Sequence, residues 1–227
     1  MTSLDLQYSK KAVRRAGKLL ASAAETVTEA EEASAVTIMN NWRAAHYDAL
    51  NSAQMGLRSR LGTIGLKGDV SQRLKRRHAI LTKLRREPTM NLDTMHDIAG
   101  CRAVVGPGLD ALQKVAAQWR RTARARVRRE YDYVADPRPT GYRGIHLIVE
   151  YGPRLVEVQL RTPAQHAWAV AVEDVTNRTG HDLKGGNAPR RMTSPFLRMS
   201  NVIAEFEERG ASLARLDLSA LVRILAP

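Results

Sequence analysis

Short apolar runs with alternating polar positions occupy the middle of the chain. Four segments are rich in β-branched residues and are separated by Gly and Pro: "IAGCRAVV", "RARVRREYDYV", "YRGIHLIVEY" and "LVEVQLR". Such segments are typical of strands. The turn signal "YGPR" predicts that the last two form a hairpin, while "LDALQKVAAQWRRTA" has the spacing of a helix. The middle of the chain is therefore predicted to be a sheet with helical connections.

The N-terminal part has helical spacing. One basic face is formed by Lys10, Lys11, Arg14, Arg15 and Lys18, on a helix predicted to end near Glu32. A second helical stretch, "EASAVTIMNNWRAAHYDALNSAQMGLRSRLG", is predicted to stop at the glycines that follow it, Gly62, Gly65 and Gly68. Residues 1–66 are thus predicted to be a helical N-terminal region.

A helix start is recognisable after the last strand. Thr162, Pro163 and Gln165 supply an N-cap, a first-turn proline and a capping-box partner. This helix is predicted to run to about Gly180, followed by a loop over "LKGGNAPRRMTSP" and then a C-terminal helix. The predicted organisation is a core over 67–184 and a C-terminal helical extension over 185–227.

Polar residues alternate through the last strand. With a period of two, Val156, Val158 and Leu160 face the core, and the other face carries polar side chains: Glu157, Gln159 and Arg161. In the preceding strand the same alternation separates His146 from its apolar neighbours. An ordinary solvated outer face explains this pattern as well as a functional one does.

Composition narrows the class of protein. The single cysteine, Cys101, excludes an internal disulfide framework and a cysteine-rich zinc site. No signal peptide is recognisable, and no stretch approaches 18 apolar residues, so a cytoplasmic protein without a membrane partner is expected.

Charge predicts polyanionic partners. Lys and Arg number 36 against 23 Asp and Glu, a formal net charge of +13. Arginine dominates "SQRLKRRHAILTKLRR" and "WRRTARARVRRE", and its planar guanidinium suits phosphate recognition. A merely soluble basic surface is the alternative.

Four segments in order resemble the RelA/SpoT family of pyrophosphokinases, particularly its small alarmone synthetases. They are "RLKRRHAILTKLRR", "HDIAGCRAVV", "YDYVADPRPTGYRGIH" and "VEVQLRTPAQHAW". The resemblance implies an α+β fold with a mixed sheet of about five strands flanked by helices. No Walker phosphate loop, protein-kinase loop set or nucleophile elbow is present in the sequence.

The resemblance implies transfer of the β,γ-pyrophosphate of ATP to a ribose 3′-hydroxyl, with Mg²⁺. Asp97 matches the principal metal ligand, and Glu157 matches the second carboxylate, which orients or deprotonates the hydroxyl. Phosphoryl chemistry of this kind needs positioning and charge neutralisation more than covalent help.

Two further sets of residues are implied by the same match. Arg73 and Arg102 match the arginines that sandwich adenine, and Lys75 and Lys83 match phosphate-binding lysines. On the acceptor side, Gly141 permits a tight turn and Tyr142 matches the tyrosine that stacks on the acceptor base. That side of the cleft is completed by His146, Gln159 and Arg161.

The acceptor is where the chain departs from the family pattern. Tyr131 replaces a usual lysine, Thr140 replaces asparagine, and "GYRGIH" is similar to toxic members encoded by phages, prophages or toxin–antitoxin operons. Some of these modify the 3′-CCA end of tRNA, which blocks aminoacylation. Three interpretations stay open: a tRNA-modifying toxin, an alarmone synthetase using GDP, GTP or adenosine nucleotides, and a catalytically silent RNA-binding module. An antitoxin protein and a homo-oligomer are possible partners.

Overall fold

The structure, a computed structural model, describes residues 7–22, 27–106, 108–121 and 125–210 of the chain. Its helices are α1 (Lys10–Ala21), α2 (Glu29–Ala44), α3 (Tyr47–Thr63), α4 (Arg77–Arg86), α5 (Leu109–Arg120), α6 (Pro163–Thr179) and α7 (Arg190–Glu208). Its strands are β1 (Gly68–Leu74), β2 (Ala99–Val105), β3 (Arg126–Asp132), β4 (Ile145–Tyr151) and β5 (Arg154–Arg161). Within the described ranges, no helix is both long and apolar enough to span a membrane.

The five strands form one sheet in the order β1-β2-β5-β4-β3. A side chain at Gly68 would meet the Val104 carbonyl oxygen, and the Lys75 amide donates to Ile98 at 2.8 Å. Residues early in β1 therefore lie beside residues late in β2, so these two strands are antiparallel.

The next pair of strands in the sheet, β2 and β5, is parallel. A side chain at Gly100 would lie 3.7 Å from the Glu157 carbonyl oxygen, and one at Gly106 would lie 3.7 Å from Pro163. This constant offset makes β2 and β5 parallel, whereas the two-residue turn between β4 and β5 makes that pair antiparallel. The α+β fold with a mixed five-stranded sheet and flanking helices is confirmed.

Internal contacts divide the described residues into two compact units. The first draws on the described residues within 1–56, 71–101 and 148–158, and the second on those within 57–70, 102–147 and 159–227. Apolar side chains of α1, α2 and α4 form a core within the first unit, with Met39 and Ile80 fully buried. In the second unit α6 packs on α7. The sequence-based boundaries at 66/67 and 184/185 stay predictions.

Two helix predictions in the N-terminal part are wrong. The first helix ends at Ala21, not near Glu32, because Ser22 is extended and a new capping box of Thr28 and Glu31 starts α2. The stretch predicted as one helix up to Gly62 is two helices. His46 explains the break: its ring Nδ1 donates to the Trp42 carbonyl at 2.7 Å, the acceptor that the His46 amide would use in a continuous helix.

Two further differences concern a strand and a loop. The sequence predicted about five strands but located only four; β1, "GDVSQRL", is a partly exposed edge strand with no apolar alternation. The loop predicted up to Pro195 ends earlier, since α7 begins at Arg190 and continues through that proline. Packing of Phe196, Met199 and the rest of the apolar face of α7 outweighs the helix-breaking tendency of Pro195.

Local signals around the last strand are confirmed. The hairpin turn lies between Tyr151 and Arg154, as predicted. Thr162 caps α6, with Gln165 completing the capping box, and the helix ends at Gly180 in the left-handed conformation. The turn and capping residues therefore determine locally how the chain enters β5 and how it starts and ends α6.

Candidate active site

The alternation predicted for β5 is present. Val156, Val158 and Leu160 are fully buried, while Glu157 and Gln159 are half-buried on the other face. Arg161 is the exception, because it lies on the polar face yet is only 8% exposed. A buried guanidinium needs hydrogen-bond partners, so this face is not an ordinary solvated surface.

Asp97 is the centre of a charged group in the first unit, which we call the carboxylate group (Lys75, Lys83, Asp97 and Glu157). Its Oδ2 lies 2.8 Å from Nζ of Lys75 and its Oδ1 lies 3.1 Å from Nζ of Lys83. Lys75 follows β1, Lys83 lies in the last turn of α4, and Asp97 precedes β2. Three segments that are separate in the sequence thus bring one carboxylate and two ammonium groups together.

The charge of Glu157 also acts on Asp97. Burial raises the pKa of Asp97, and Glu157 also raises it, but the ammonium groups of Lys75 and Lys83 outweigh both and hold the pKa below its ordinary value. Asp97 is therefore ionised at neutral pH. Burial, with Glu157 as the second cause, raises the pKa of the nearby Cys101 to about 12, so that thiol stays protonated and is not a nucleophile.

The carboxylate group fits magnesium. Among the described residues, no cluster of three or more His, Cys, Asp or Glu side chains could hold a metal. Magnesium takes hard oxygen ligands, and one or two protein carboxylates suffice when phosphates and water supply the others. Asp97 and Glu157 carry oxygens of this kind, and Asp97 is part-exposed.

The two arginines implied for adenine lie on different strands. Arg73 is exposed near the end of β1, and Arg102 is half-buried in β2. Within the second unit, the charges of Arg102 and Arg161 both act on His166, in the first turn of α6. Burial and then these two arginines lower the pKa of His166 to about 4, so its imidazole is neutral. Sequence reasoning had assigned His166 no role.

The four residues implied for the acceptor are linked by a chain of hydrogen bonds in the second unit, and we call them the tyrosine group (Tyr142, His146, Gln159 and Arg161). The Tyr142 hydroxyl hydrogen-bonds to Nε2 of His146 and accepts from Nε of Arg161 at 3.1 Å. Arg161 also donates through Nη2 to Oε1 of Gln159 at 2.8 Å. These bonds account for the burial of Arg161 and hold the Tyr142 ring in one orientation.

Sequence reasoning missed residues that support this group. Tyr133 meets the rings of Tyr142 and His146 edge to face, with centroids 5.7 and 5.1 Å apart. The Arg138 guanidinium lies 4.5 Å from the ring of Tyr133 and donates to its hydroxyl at 2.8 Å. The signal available in the sequence was the pair of tyrosines two residues apart, Tyr131 and Tyr133, at the end of an arginine-rich strand.

Helix α7 holds the loop that carries Tyr142. Ser200 donates to the Gly141 carbonyl and accepts from Nε of Arg143. Gly141 has φ of 89°, and a side chain there would come within 3.1 Å of Ser200. The predicted tight turn at Gly141 is therefore also a close approach to α7.

The same helix holds the start of α6. Near the end of α7, the buried carboxylate of Glu207 accepts hydrogen bonds from Thr162 and Gln165, the two residues of the capping box. The part of the predicted C-terminal extension beyond residue 210 lies outside the described residues.

The predicted basic surfaces are present with exceptions. All five basic residues of α1 are exposed, and Arg14 pairs with Asp93 at 2.8 Å. In the arginine-rich segment "WRRTARARVRRE", Arg120 pairs with Glu130, while position 124 lies outside the described residues. A cavity of about 530 Å³ is lined there by Arg120, Arg126, Arg128 and Arg129 together with Trp119, Ala125, Val127 and Glu130.

Comparison with known proteins identifies the family. The family pattern described as a region found in RelA/SpoT proteins matches residues 72–177. GTP pyrophosphokinase YjbM of Bacillus subtilis is 31% identical over 149 residues, covering 61% of this chain and 68% of the relative. A GTP pyrophosphokinase of Myxococcus xanthus is 33% identical over 115 residues, covering 48% of this chain and 14% of that protein.

A solved structure agrees in fold. Small alarmone synthetase 1 of B. subtilis, bound to its product pppGpp, superposes with a TM-score of 0.63 at 25% identity, covering 72% of this chain and 90% of that one. The chain belongs to the RelA/SpoT family and is a pyrophosphokinase of that family. Within the family, its similarity is to the small alarmone synthetases.

Proposed function

We propose that the protein transfers the β,γ-pyrophosphate of ATP to the 3′-hydroxyl of the CCA end of tRNA. A pyrophosphate on that hydroxyl blocks aminoacylation, so the product would inhibit translation and growth, and an antitoxin partner would be needed in the host. The observation that carries the choice of acceptor is the exposed basic face of α1, far larger than a nucleotide requires. Positive surface of this kind binds RNA phosphates through counterion release.

The carboxylate group would carry the chemistry. The acceptor O3′ forms a bond to the β-phosphorus of ATP, the bond from that phosphorus to the α–β bridging oxygen breaks, and AMP leaves with that oxygen. Glu157 takes the proton of the 3′-hydroxyl, while Lys75 and Lys83 neutralise phosphate oxygens. Magnesium held by Asp97 and Glu157 would supply electrostatic stabilisation of the pyrophosphoryl oxygens.

Lys75 and Lys83 have a second role in the proposal, which is to compensate the charge of Asp97. In the structure they satisfy its charge at 2.8 and 3.1 Å. When ATP and magnesium bind, the same ammonium groups would turn to the phosphates and the carboxylate to the metal. The site thus keeps its charges compensated in both states.

The tyrosine group would bind the acceptor. The face of Tyr142 stacks on the terminal base, and Arg161, oriented by Gln159, contacts a phosphate or ribose oxygen. A terminal adenine and a guanine both present a face to such a ring, so the tyrosine group alone does not select tRNA over a nucleotide.

A second candidate is supported by the comparisons. YjbM is named a GTP pyrophosphokinase, and pppGpp is the product bound in the B. subtilis structure. On this alternative, the acceptor is GDP or GTP, or an adenosine nucleotide, and the product is an alarmone. The third interpretation, a catalytically silent RNA-binding module, does not fit a pyrophosphokinase of this family, and a binder would need no pair of carboxylates.

Arg73→Ala and Arg102→Ala are expected to weaken ATP use. Stacking of a guanidinium on adenine is a binding interaction, so each substitution should raise the apparent KM for ATP about tenfold with a smaller change in kcat. Initial rates over a range of ATP concentrations at saturating magnesium measure this. An unchanged KM in both variants would show that adenine binds elsewhere.

Labelled ATP tests the acceptor directly. The protein is incubated with γ-labelled ATP and either deacylated tRNA or GDP, and label is expected on tRNA. Charge reversal of exposed α1 residues, Lys11→Glu with Arg15→Glu and Lys18→Glu, should reduce labelling of tRNA far more than of GDP. The salt dependence of tRNA binding should flatten by about one unit of slope for each phosphate that the variant no longer neutralises.

Arg14 is left unchanged in this variant because it pairs with Asp93. A matched control reverses exposed glutamates of α2, Glu29→Lys with Glu32→Lys, which changes charge in the opposite direction. Label that enters GDP and never tRNA, or an equal decrease for both acceptors in the α1 variant, rules out the tRNA assignment in favour of the alarmone alternative.

A further inference from the structure

Tyr142 is the inner end of a row of aromatic rings that continues to the C-terminal end of β3. Tyr133 meets Tyr142 edge to face at 5.7 Å, and Tyr131 stacks parallel to Tyr133, with ring centroids 5.8 Å apart and 3° between the planes. Tyr131 lies in β3 and Tyr133 is the first residue after it, and the stacking of their rings shows that both project to the same side of the chain. The row therefore presents three tyrosines, of which the acceptor site proposed above uses one.

Guanidinium groups accompany the row. Arg138 lies over the ring of Tyr133. Arg129 is exposed two residues before Tyr131, on the same face of β3 by alternation. β3 is the last strand of the described sheet, so no further strand covers its outer edge there.

Rings in a row beside cations are suited to single-stranded nucleic acid. Successive bases stack on aromatic side chains while the backbone follows a positively charged groove. A single nucleotide has one base and uses one ring. A polynucleotide end with unpaired bases can use several.

We propose that Tyr133 and Tyr131 extend the acceptor site outward from Tyr142, so that the bases preceding the terminal one stack along them. Arg138 and Arg129 then contact the phosphates between these bases. This inference rests on the proposed function, because it needs a polynucleotide acceptor. It explains why a tyrosine stands at 131, where the ring adds a stacking surface and no charge.

The test measures binding without catalysis, for AMP, the dinucleotide CpA and the trinucleotide CpCpA, by calorimetry at one fixed salt concentration. The full chain is expected to bind each longer ligand about tenfold more tightly than the one before. Tyr131→Leu should abolish the gain from CpA to CpCpA, and Tyr131→Phe should keep it. Tyr131→Thr, which retains a strand-forming residue, replaces the leucine variant should that one melt early.

Two results would overturn the inference: equal affinity of the unsubstituted protein for AMP and CpCpA, or a Tyr131→Leu variant that weakens all three ligands by the same factor. Failure of the proposed function looks different. In that case labelled ATP modifies GDP and not tRNA, whatever the binding series shows.

Discussion

Asp97→Asn and Glu157→Gln are each expected to reduce pyrophosphate transfer about a thousandfold. Both substitutions keep the shape of the side chain and remove its charge. Removing one preorganised electrostatic interaction with the reacting group costs about a hundredfold to a thousandfold in kcat. In the proposed mechanism Asp97 would hold the metal, and Glu157 would hold the metal and take the proton of the acceptor hydroxyl. Label transfer from ATP at saturating magnesium measures the decrease with either acceptor.

The chain offers a matched control four residues before Asp97. Asp93→Asn makes the same chemical change in a carboxylate that pairs with Arg14 and has no place in the carboxylate group. Its transfer rate should stay within about twofold of the unsubstituted protein. Thermal melting of all three variants separates loss of chemistry from loss of fold. Near-normal turnover in both site variants would eliminate the proposed mechanism.

Gly144→Ala is expected to reduce use of every acceptor about a hundredfold. Gly144 has φ of 146°, where side chains are rarely tolerated, and an added β-carbon would come within 3.2 Å of the Tyr142 hydroxyl and 3.3 Å of Arg161. Strain of this kind costs about 1 to 3 kcal/mol. The nearest atom to the added carbon is the carbonyl oxygen of Leu160, at 3.1 Å. Relief therefore requires a shift of the β5 backbone beside Arg161 or of the Tyr142 and Arg161 side chains, and either shift disturbs the tyrosine group.

Gly152→Ala is the control for backbone strain alone. Gly152 lies in the β4–β5 turn with φ of 56°, and no atom lies within 4 Å of an added side chain. It should lower stability by about 1 to 2 kcal/mol and leave acceptor use nearly unchanged. Acceptor KM and kcat, compared with the melting temperature, distinguish the two variants. Equal kinetic effects of the two substitutions would mean that crowding of Tyr142 and Arg161 does not matter.

Predictions from sequence succeeded where a few adjacent residues contain the whole signal. The hairpin, the cap at Thr162 and the end of α6 at Gly180 each depend on turn and capping chemistry within one or two turns of chain. The alternation of β5 succeeded for the same reason, since apolar and polar residues exchange at every step from Val156 to Leu160.

The predictions from sequence failed where a side-chain hydrogen bond, or packing against a residue distant in sequence, determines the local structure. The break before α3 depends on the His46 ring taking the carbonyl of Trp42, although that stretch has good helical spacing. β1 carries no apolar alternation and is a strand because it pairs with β2. Pro195 lies inside α7 because packing against α6 outweighs the local cost of proline.

The candidate site likewise has residues that the sequence indicated and contacts that only the structure revealed. Residue types at motif spacing indicated Asp97, Glu157, Tyr142 and Arg161, and the sequence alone determined the family chemistry and the excess of positive charge. Only the tertiary structure placed Lys75 and Lys83 on Asp97, aligned Tyr131 and Tyr133 with Tyr142, and set Ser200 of α7 against the Gly141 loop. Motif residues are recognisable because their chemistry restricts which side chains can serve. Their supporting contacts are not, because those join positions up to 59 residues apart, and any of several side chains could make them.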